Sequence, residues 1–195
     1  MLKRYFRYTL AVALFAASTT AEQEPHAPST DENAKPDATA KAEANPAPQQ
    51  APEFTLEDQF RKSHTIEYPA DKASIFVLAD REGSKQVEAW IRAVYDKFQD
   101  RVNIRGIALL KGVPSALRPT IRYLFKKQVD YPVMLDWEGT VTESFAFKPG
   151  LACVFVVNID GSIVLAEYGP AEGKRSERVL TSLLLASANA KKSGH

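Results

Sequence analysis

A short run of strand formers that leads, through a polar turn, into a strongly periodic apolar stripe leaves few folds open to this chain. The stretch runs from Ser74 to Phe98. Ile75 to Ala79 is rich in Ile, Phe and Val, residues that suit a pleated, buried surface. Asp80-Arg81-Glu82-Gly83-Ser84 reads as a turn. Beyond it, Val87, Trp90, Ile91, Val94, Tyr95 and Phe98 recur at i, i+3, i+4, i+7, i+8 and i+11, so one stripe of a helix is apolar. Gly83 or Ser84 is expected to cap that helix, since a small or hydroxylic residue there satisfies an orphan backbone N–H. A buried strand that leads into a helix through a tight turn belongs to α/β architecture, and the turn is where such proteins place their chemistry.

Upstream, residues 1–21 read as a secretory signal. Lys3, Arg4 and Arg7 form a positive start, Leu10 to Ala17 a short apolar core, and Thr19-Thr20-Ala21 a small-residue cleavage site. The apolar core is far shorter than the roughly 20 residues that span a bilayer. The expectation is therefore export to a periplasm or beyond, with no transmembrane segment after cleavage. The chain's one cysteine, Cys153, lies far downstream, so lipid attachment beside the cleavage site is excluded. Removing the signal takes away three basic residues and no acidic ones, which turns the formal charge from +1 to −2. A surface so close to neutral argues against nucleic acid as a partner. Residues 22–52 hold half of the 12 prolines and no aromatic, Leu, Ile, Val or Met. Such a segment cannot bury enough apolar surface to offset its ordering entropy, so it reads as a disordered linker. Residues 53–190 make one domain, and 191–195 a disordered tail.

Within that domain Glu53 to Asp58 alternates polar and apolar, and His64 to Tyr68 makes a short strand ended by Pro69. The strand and helix described above follow. Val102 to Leu110 suits a buried strand. Pro114 to Gln128 is expected as a second helix with Pro119 in its first turn, where a missing N–H costs nothing. Val133 to Leu135 is a strand, Thr140 to Phe147 a brief helical or irregular crossover, and Ala152 to Val157 an apolar strand. Asn158-Ile159-Asp160-Gly161 signals a hairpin to Ser162–Tyr168, and Ser176 to Ala188 closes the chain as an amphipathic helix. This order predicts an α/β fold: a mixed central sheet with helices on both faces, ending in an antiparallel hairpin and a C-terminal helix.

Three phrases in this order carry a resemblance. Ala51-Pro52-Glu53-Phe54-Thr55-Leu56-Glu57-Asp58 is similar to an entry motif, Tyr131-Pro132-Val133-Met134-Leu135-Asp136 with Gly139 to a third-strand phrase, and Phe155-Val156-Val157-Asn158-Ile159-Asp160-Gly161 to a hairpin phrase. Together they resemble the thioredoxin-like superfamily, in its secreted redoxin or TlpA-like branch, over roughly residues 51–190. The resemblance implies a thioredoxin-like fold. It also implies a C-x-x-C where the first long strand meets its helix, where the helix N-terminus lowers the leading thiol's pKa. The corresponding positions here are Glu82-Gly83-Ser84-Lys85, so both cysteines are missing. The position of the family's cis-proline, facing that site, matches Ala152, with Pro149 three residues earlier. The proline and hydroxyl residue that precede a peroxidatic Cys in the first turn are missing as well. A dithiol–disulfide cycle within one subunit needs two thiols, and this chain has one.

Several residues remain to be weighed. Cys153 is either a buried apolar residue of its strand or a reactive thiol; only Lys148, five positions earlier, is a nearby base. Asp80, Arg81, Glu82, Gly83, Ser84 and Lys85 form the degenerate turn, read either as an anion site, a carboxylate pair or a solvated turn. Arg118, Arg122, Lys126 and Lys127 crowd the second helix and could meet an acidic partner or phospholipid head groups, or simply face solvent. Trp90 reads as core, and Trp137 as an exposed anchor or a packing residue on the rim. His26, His64 and His195 form no pair at metal-ligand spacing, so no metal or other cofactor is expected.

The expectation is an exported, non-catalytic binding module for an unknown protein or small molecule, acting through Asp80–Lys85 and the loop Lys148–Ala152. The alternative is a one-Cys peroxidase or thiol-exchange oxidoreductase acting through Cys153. A homodimer formed through strand edges is a third expectation.

Overall fold

The computed structural model describes residues 50–192, so the expected signal, most of the linker, His26 and His195 lie outside the described residues. Two strands, β1 (Phe54–Glu57) and β2 (Ser63–Ile66), pair as an antiparallel hairpin. They are followed by β3 (Ser74–Ala79), α1 (Val87–Phe98), β4 (Asn103–Leu109), α2 (Arg118–Gln128) and β5 (Val133–Asp136). The chain continues through α3 (Thr140–Ser144), β6 (Cys153–Val157), β7 (Ile163–Tyr168) and α4 (Gly173–Lys192). The five-stranded sheet has the order β5-β4-β3-β6-β7. β3 and β4, and β4 and β5, run parallel, whereas β6 lies antiparallel to β3 and β7 antiparallel to β6.

The all-apolar run predicted for β3 follows from its central place, because all six of its residues are buried and both of its faces are covered. Ile75 and Val77 pack with Trp90, Val94 and Phe98 of α1 and with Val179 and Leu183 of α4. Phe76 and Leu78 point the other way, into a cluster with Ile66 of β2, Val141 of α3, Phe145, Cys153 and Phe155. Trp90 is core, as expected, and its indole N–H donates to Gly169 O at 2.8 Å. The β6–β7 turn also forms as read: Gly161 takes φ +87, a left-handed conformation that favours glycine, and its N–H donates to Asn158 O.

Some boundaries move. The second helix begins at Arg118 and not Pro114, because Ser115–Leu117 forms a separate 3₁₀ turn, and Pro119 does sit in the helix's first turn. β2 stops at Ile66, short of the expected Tyr68. α4 extends beyond Ser176–Ala188 at both ends, where Lys174, Arg175 and Lys191 are good helix formers. Gln50 and Ala51, assigned above to the linker, belong to the folded body: Ala51 is buried and its N–H donates to Gly161 O at 2.8 Å.

The β1–β2 turn is held by a buried carboxylate. Asp58 Oδ1 accepts the N–H groups of Phe60 (2.7 Å) and Lys62 (3.0 Å), and Oδ2 lies 2.8 Å from His64 Nε2. Burial pushes the Asp58 carboxyl up, but the bond to His64 and the two backbone donors outweigh it and hold the group below its ordinary 3.8. A depressed folded-state pKa gives stability that is present above the ordinary carboxylate range and is lost as pH falls through the lowered value. Asp58→Asn should therefore be about 2 kcal/mol less stable than the unmodified chain near pH 6, with the gap smaller at an acid pH below the carboxyl's lowered value. Urea unfolding at the two pH values checks this, and a gap that does not change with pH contradicts it.

Candidate functional site

β6 runs against β3 with Cys153 opposite Leu78, so the turn after β3 and the loop before β6 meet at one end of the sheet. Their contact is unusually close. A Cβ on Gly83 would stand 2.4 Å from the carbonyl oxygen of Leu151 and 3.1 Å from the nitrogen of Ala152, so only glycine allows this approach. Asp80 spans the junction, with Oδ1 accepting the N–H of Gly83 and Oδ2 the N–H of Gly150, each at 2.8 Å. Gln86 makes the second bridge. Its Oε1 accepts the N–H of Ala152 at 3.1 Å, and its Nε2 donates to Gly150 O at 3.3 Å. Turn and loop are thus latched by one carboxylate and one amide.

This geometry reassigns the turn residues. Neither Gly83 nor Ser84 caps α1, whose N-cap position is Gln86 with no side-chain cap bond; Asp80 accepts the N–H of Gly83 in the turn before it, and the Ser84 hydroxyl donates to Arg81 O at 2.7 Å. Residues Gly83–Gln86 form a 3₁₀ turn before α1. Asp80 faces inward and Glu82 faces solvent, where it pairs with Lys85 at 2.6 Å, so the two carboxylates do not form an acid/base pair. Arg81 is exposed. Ala152 is buried beside the latch, and the cis peptide bond among the described residues joins Tyr68 and Pro69, away from this loop.

Cys153 lies beneath the loop and is fully buried. Its Sγ accepts the N–H of Lys148 at 3.3 Å and lies 3.6 Å from Lys148 O and 3.7 Å from Leu151 O. Burial pushes the thiol up to about 11; the nearby Asp80 charge adds to this, and the Lys148 N–H and charge only partly oppose it. The Lys148 ammonium sits over the Tyr168 ring, 4.0 Å from its centroid. A thiol in this setting is protonated and shielded, the opposite of what nucleophilic sulfur requires.

The remaining candidates are accounted for structurally. Arg118 pairs with Glu138 at 2.8 Å, and Arg122 pairs with Glu57 at 2.6 Å and donates to Asp58 O. Their guanidinium carbons lie 5.2 and 5.7 Å from the Trp137 ring centroid, so Trp137 is a packing residue on the rim. Lys126 and Lys127 are exposed on the same helix. His64 serves the Asp58 turn, and among the described residues no group of three or more His, Cys, Asp or Glu could hold a metal. No described helix is long and apolar enough to cross a membrane. Sequence reasoning missed Gln86, whose role depends on a partner 66 positions away.

No family model and no curated protein matches the chain. Solved structures do. It is similar to the exposed lipoprotein thioredoxin of Streptococcus pneumoniae, with TM-score 0.53 and 15% identity over 68% of this chain and 100% of that one. It is also similar to a thiol:disulfide interchange protein of the thioredoxin family from Chlorobium tepidum, with TM-score 0.52 and 19% identity over 72% and 99% of the two chains. A third is the thioredoxin domain of a thiol-disulfide oxidoreductase from Bacteroides vulgatus, with TM-score 0.51 and 17% identity over 71% and 97%. These likenesses show the fold: the chain has a thioredoxin-like fold and lacks the C-x-x-C pair.

Proposed function

We propose that this thioredoxin-fold chain is an exported binding module that recognises a partner through the latched turn and loop and performs no thiol chemistry. The observation that carries the reading is the Asp80–Gln86 latch over a buried Cys153. Where a redox protein of this fold would present sulfur, this surface presents Arg81, Glu82, Lys85 and Pro149, all exposed and set on a backbone fixed from both sides. A fixed surface loses little conformational entropy on association, which favours recognition. Export is supported by the basic, apolar and small-residue order of residues 1–21. The one-Cys enzyme reading finds no support, because the thiol is pushed up to about 11 and has no exposed surface.

A photo-crosslinking side chain placed at Pro149, compared with one at Leu185 on the exposed side of α4, tests the proposal in the organism that makes the protein. The expected result is a discrete covalent adduct with a second, different protein from position 149 and none from 185. No adduct at 149, or the same adducts at both positions, contradicts it.

A further inference from the structure

The outward side of α1, together with Lys85 in the 3₁₀ turn that precedes it, has a charge order that reads the same from either end once sign is exchanged. Lys85, Glu88, Arg92 and Asp96 follow one another along the face opposite the buried Trp90 and Val94, and between them Ala89 and Ala93 leave a shallow depression. The half of this face towards the N-terminus runs positive then negative, and so does the half towards the C-terminus. If a second copy of the helix is laid antiparallel across a two-fold axis near residues 90–91, Lys85 falls opposite Asp96 of the second copy and Glu88 opposite its Arg92. Each pairing occurs twice, and Ala89 falls opposite Ala93. Small residues at the centre let two helix backbones approach closely, and charged residues at the flanks set direction and register. A parallel arrangement would instead place each charge against itself.

We infer that α1 is a self-association surface and that its occupant is a second copy of this chain, bound antiparallel through an isologous contact. Of the charges that would cross the interface, Lys85, Glu88 and Arg92 are already paired within the chain, at the surface. Lys85 pairs with Glu82 at 2.6 Å and Arg92 with Glu88 at 2.5 Å, but Lys85 and Arg92 are 66% and 50% exposed, and such surface pairs exchange partners at little cost. The helix has 12 residues, about 18 Å, so the contact is small and the dimer weak and concentration-dependent. The face shares Lys85 with the surface proposed above for a partner, but the residues changed in the test, Glu88 and Arg92, belong to α1 alone, so the inference can be tested apart from the binding reading.

Sedimentation of the full chain over a concentration series reaching about 1 mM tests it. The unmodified chain should form dimers whose dissociation constant rises several-fold when salt is raised from low to high ionic strength. Glu88→Arg and Arg92→Glu should each weaken association roughly tenfold or more, because either change sets two like-charge pairs across the axis. An equimolar mixture of the two single variants should recover dimers, since each then meets its complement; this recovery also shows that both variants are folded. A chain that stays monomeric throughout the series, a dimer unaffected by either reversal, or a mixture that does not recover association overturns the inference.

Discussion

Replacing Gly83 with alanine is expected to lower the stability of the domain by about 3 kcal/mol and to free the loop before β6. The added Cβ would lie 2.4 Å from Leu151 O and 2.6 Å from Leu151 C, atoms of a backbone that cannot rotate aside as a side chain can. Non-bonded carbon contacts settle near 3.5–4.0 Å, so turn and loop would have to separate by roughly 1 Å. That displacement breaks the bonds the latch depends on, from Gly150 N–H to Asp80 and between Gln86 and the Gly150–Ala152 backbone. Ser84→Ala removes only a hydroxyl bond to Arg81 O next door, and it should cost no more than about 1 kcal/mol. Urea unfolding of the two variants beside the unmodified chain reads the contrast. A Gly83→Ala protein as stable as Ser84→Ala would show that the two segments are not held as described.

The second large effect is expected at Phe145. This fully buried ring follows α3 and stands at the centre of an aromatic group, with ring centroids 5.3 Å from Phe76, 5.1 Å from Phe155 and 6.4 Å from Phe54. It joins the crossover helix to the central strands and to the β1–β2 hairpin, and Cys153 belongs to the same cluster. Truncation to alanine removes the burial and leaves a cavity among residues that can close only in part. The expected loss is about 3–5 kcal/mol, a large fraction of an ordinary domain's stability. Denaturant unfolding measures it, and a loss below about 1 kcal/mol would mean that the cluster repacks freely.

How much of this was legible in the chain depended on how local the cause was. The β3 run and the α1 stripe could be read because the period of a strand or helix is written in neighbouring residues, and the Asn158–Gly161 turn because its glycine has a conformational task. Absence of a dithiol followed from one cysteine. The latch could not be read, since Asp80 and Gln86 acquire their roles only when β6 comes to lie beside β3 and delivers Gly150 and Ala152 to them. The same holds for His64, which was given no role in the sequence and proves to be the partner of Asp58 across a hairpin turn. Gly83 or Ser84 was read as a cap because a small or hydroxylic residue suits that position; the actual constraint on Gly83 is an approach to Leu151 that no local pattern encodes.

The central claim is that the lone sulfur is held out of chemistry, and the rate at which Cys153 reacts with a thiol reagent at pH 7 tests it most directly. With the thiol pushed from an ordinary 9.0 up to about 11, the thiolate fraction alone should make the folded chain roughly 100-fold slower to label than the same chain in denaturant, and full burial should slow it further. Labelling of the folded chain within about tenfold of the denatured rate, accompanied by hydroperoxide consumption that disappears in Cys153→Ser, would contradict the account.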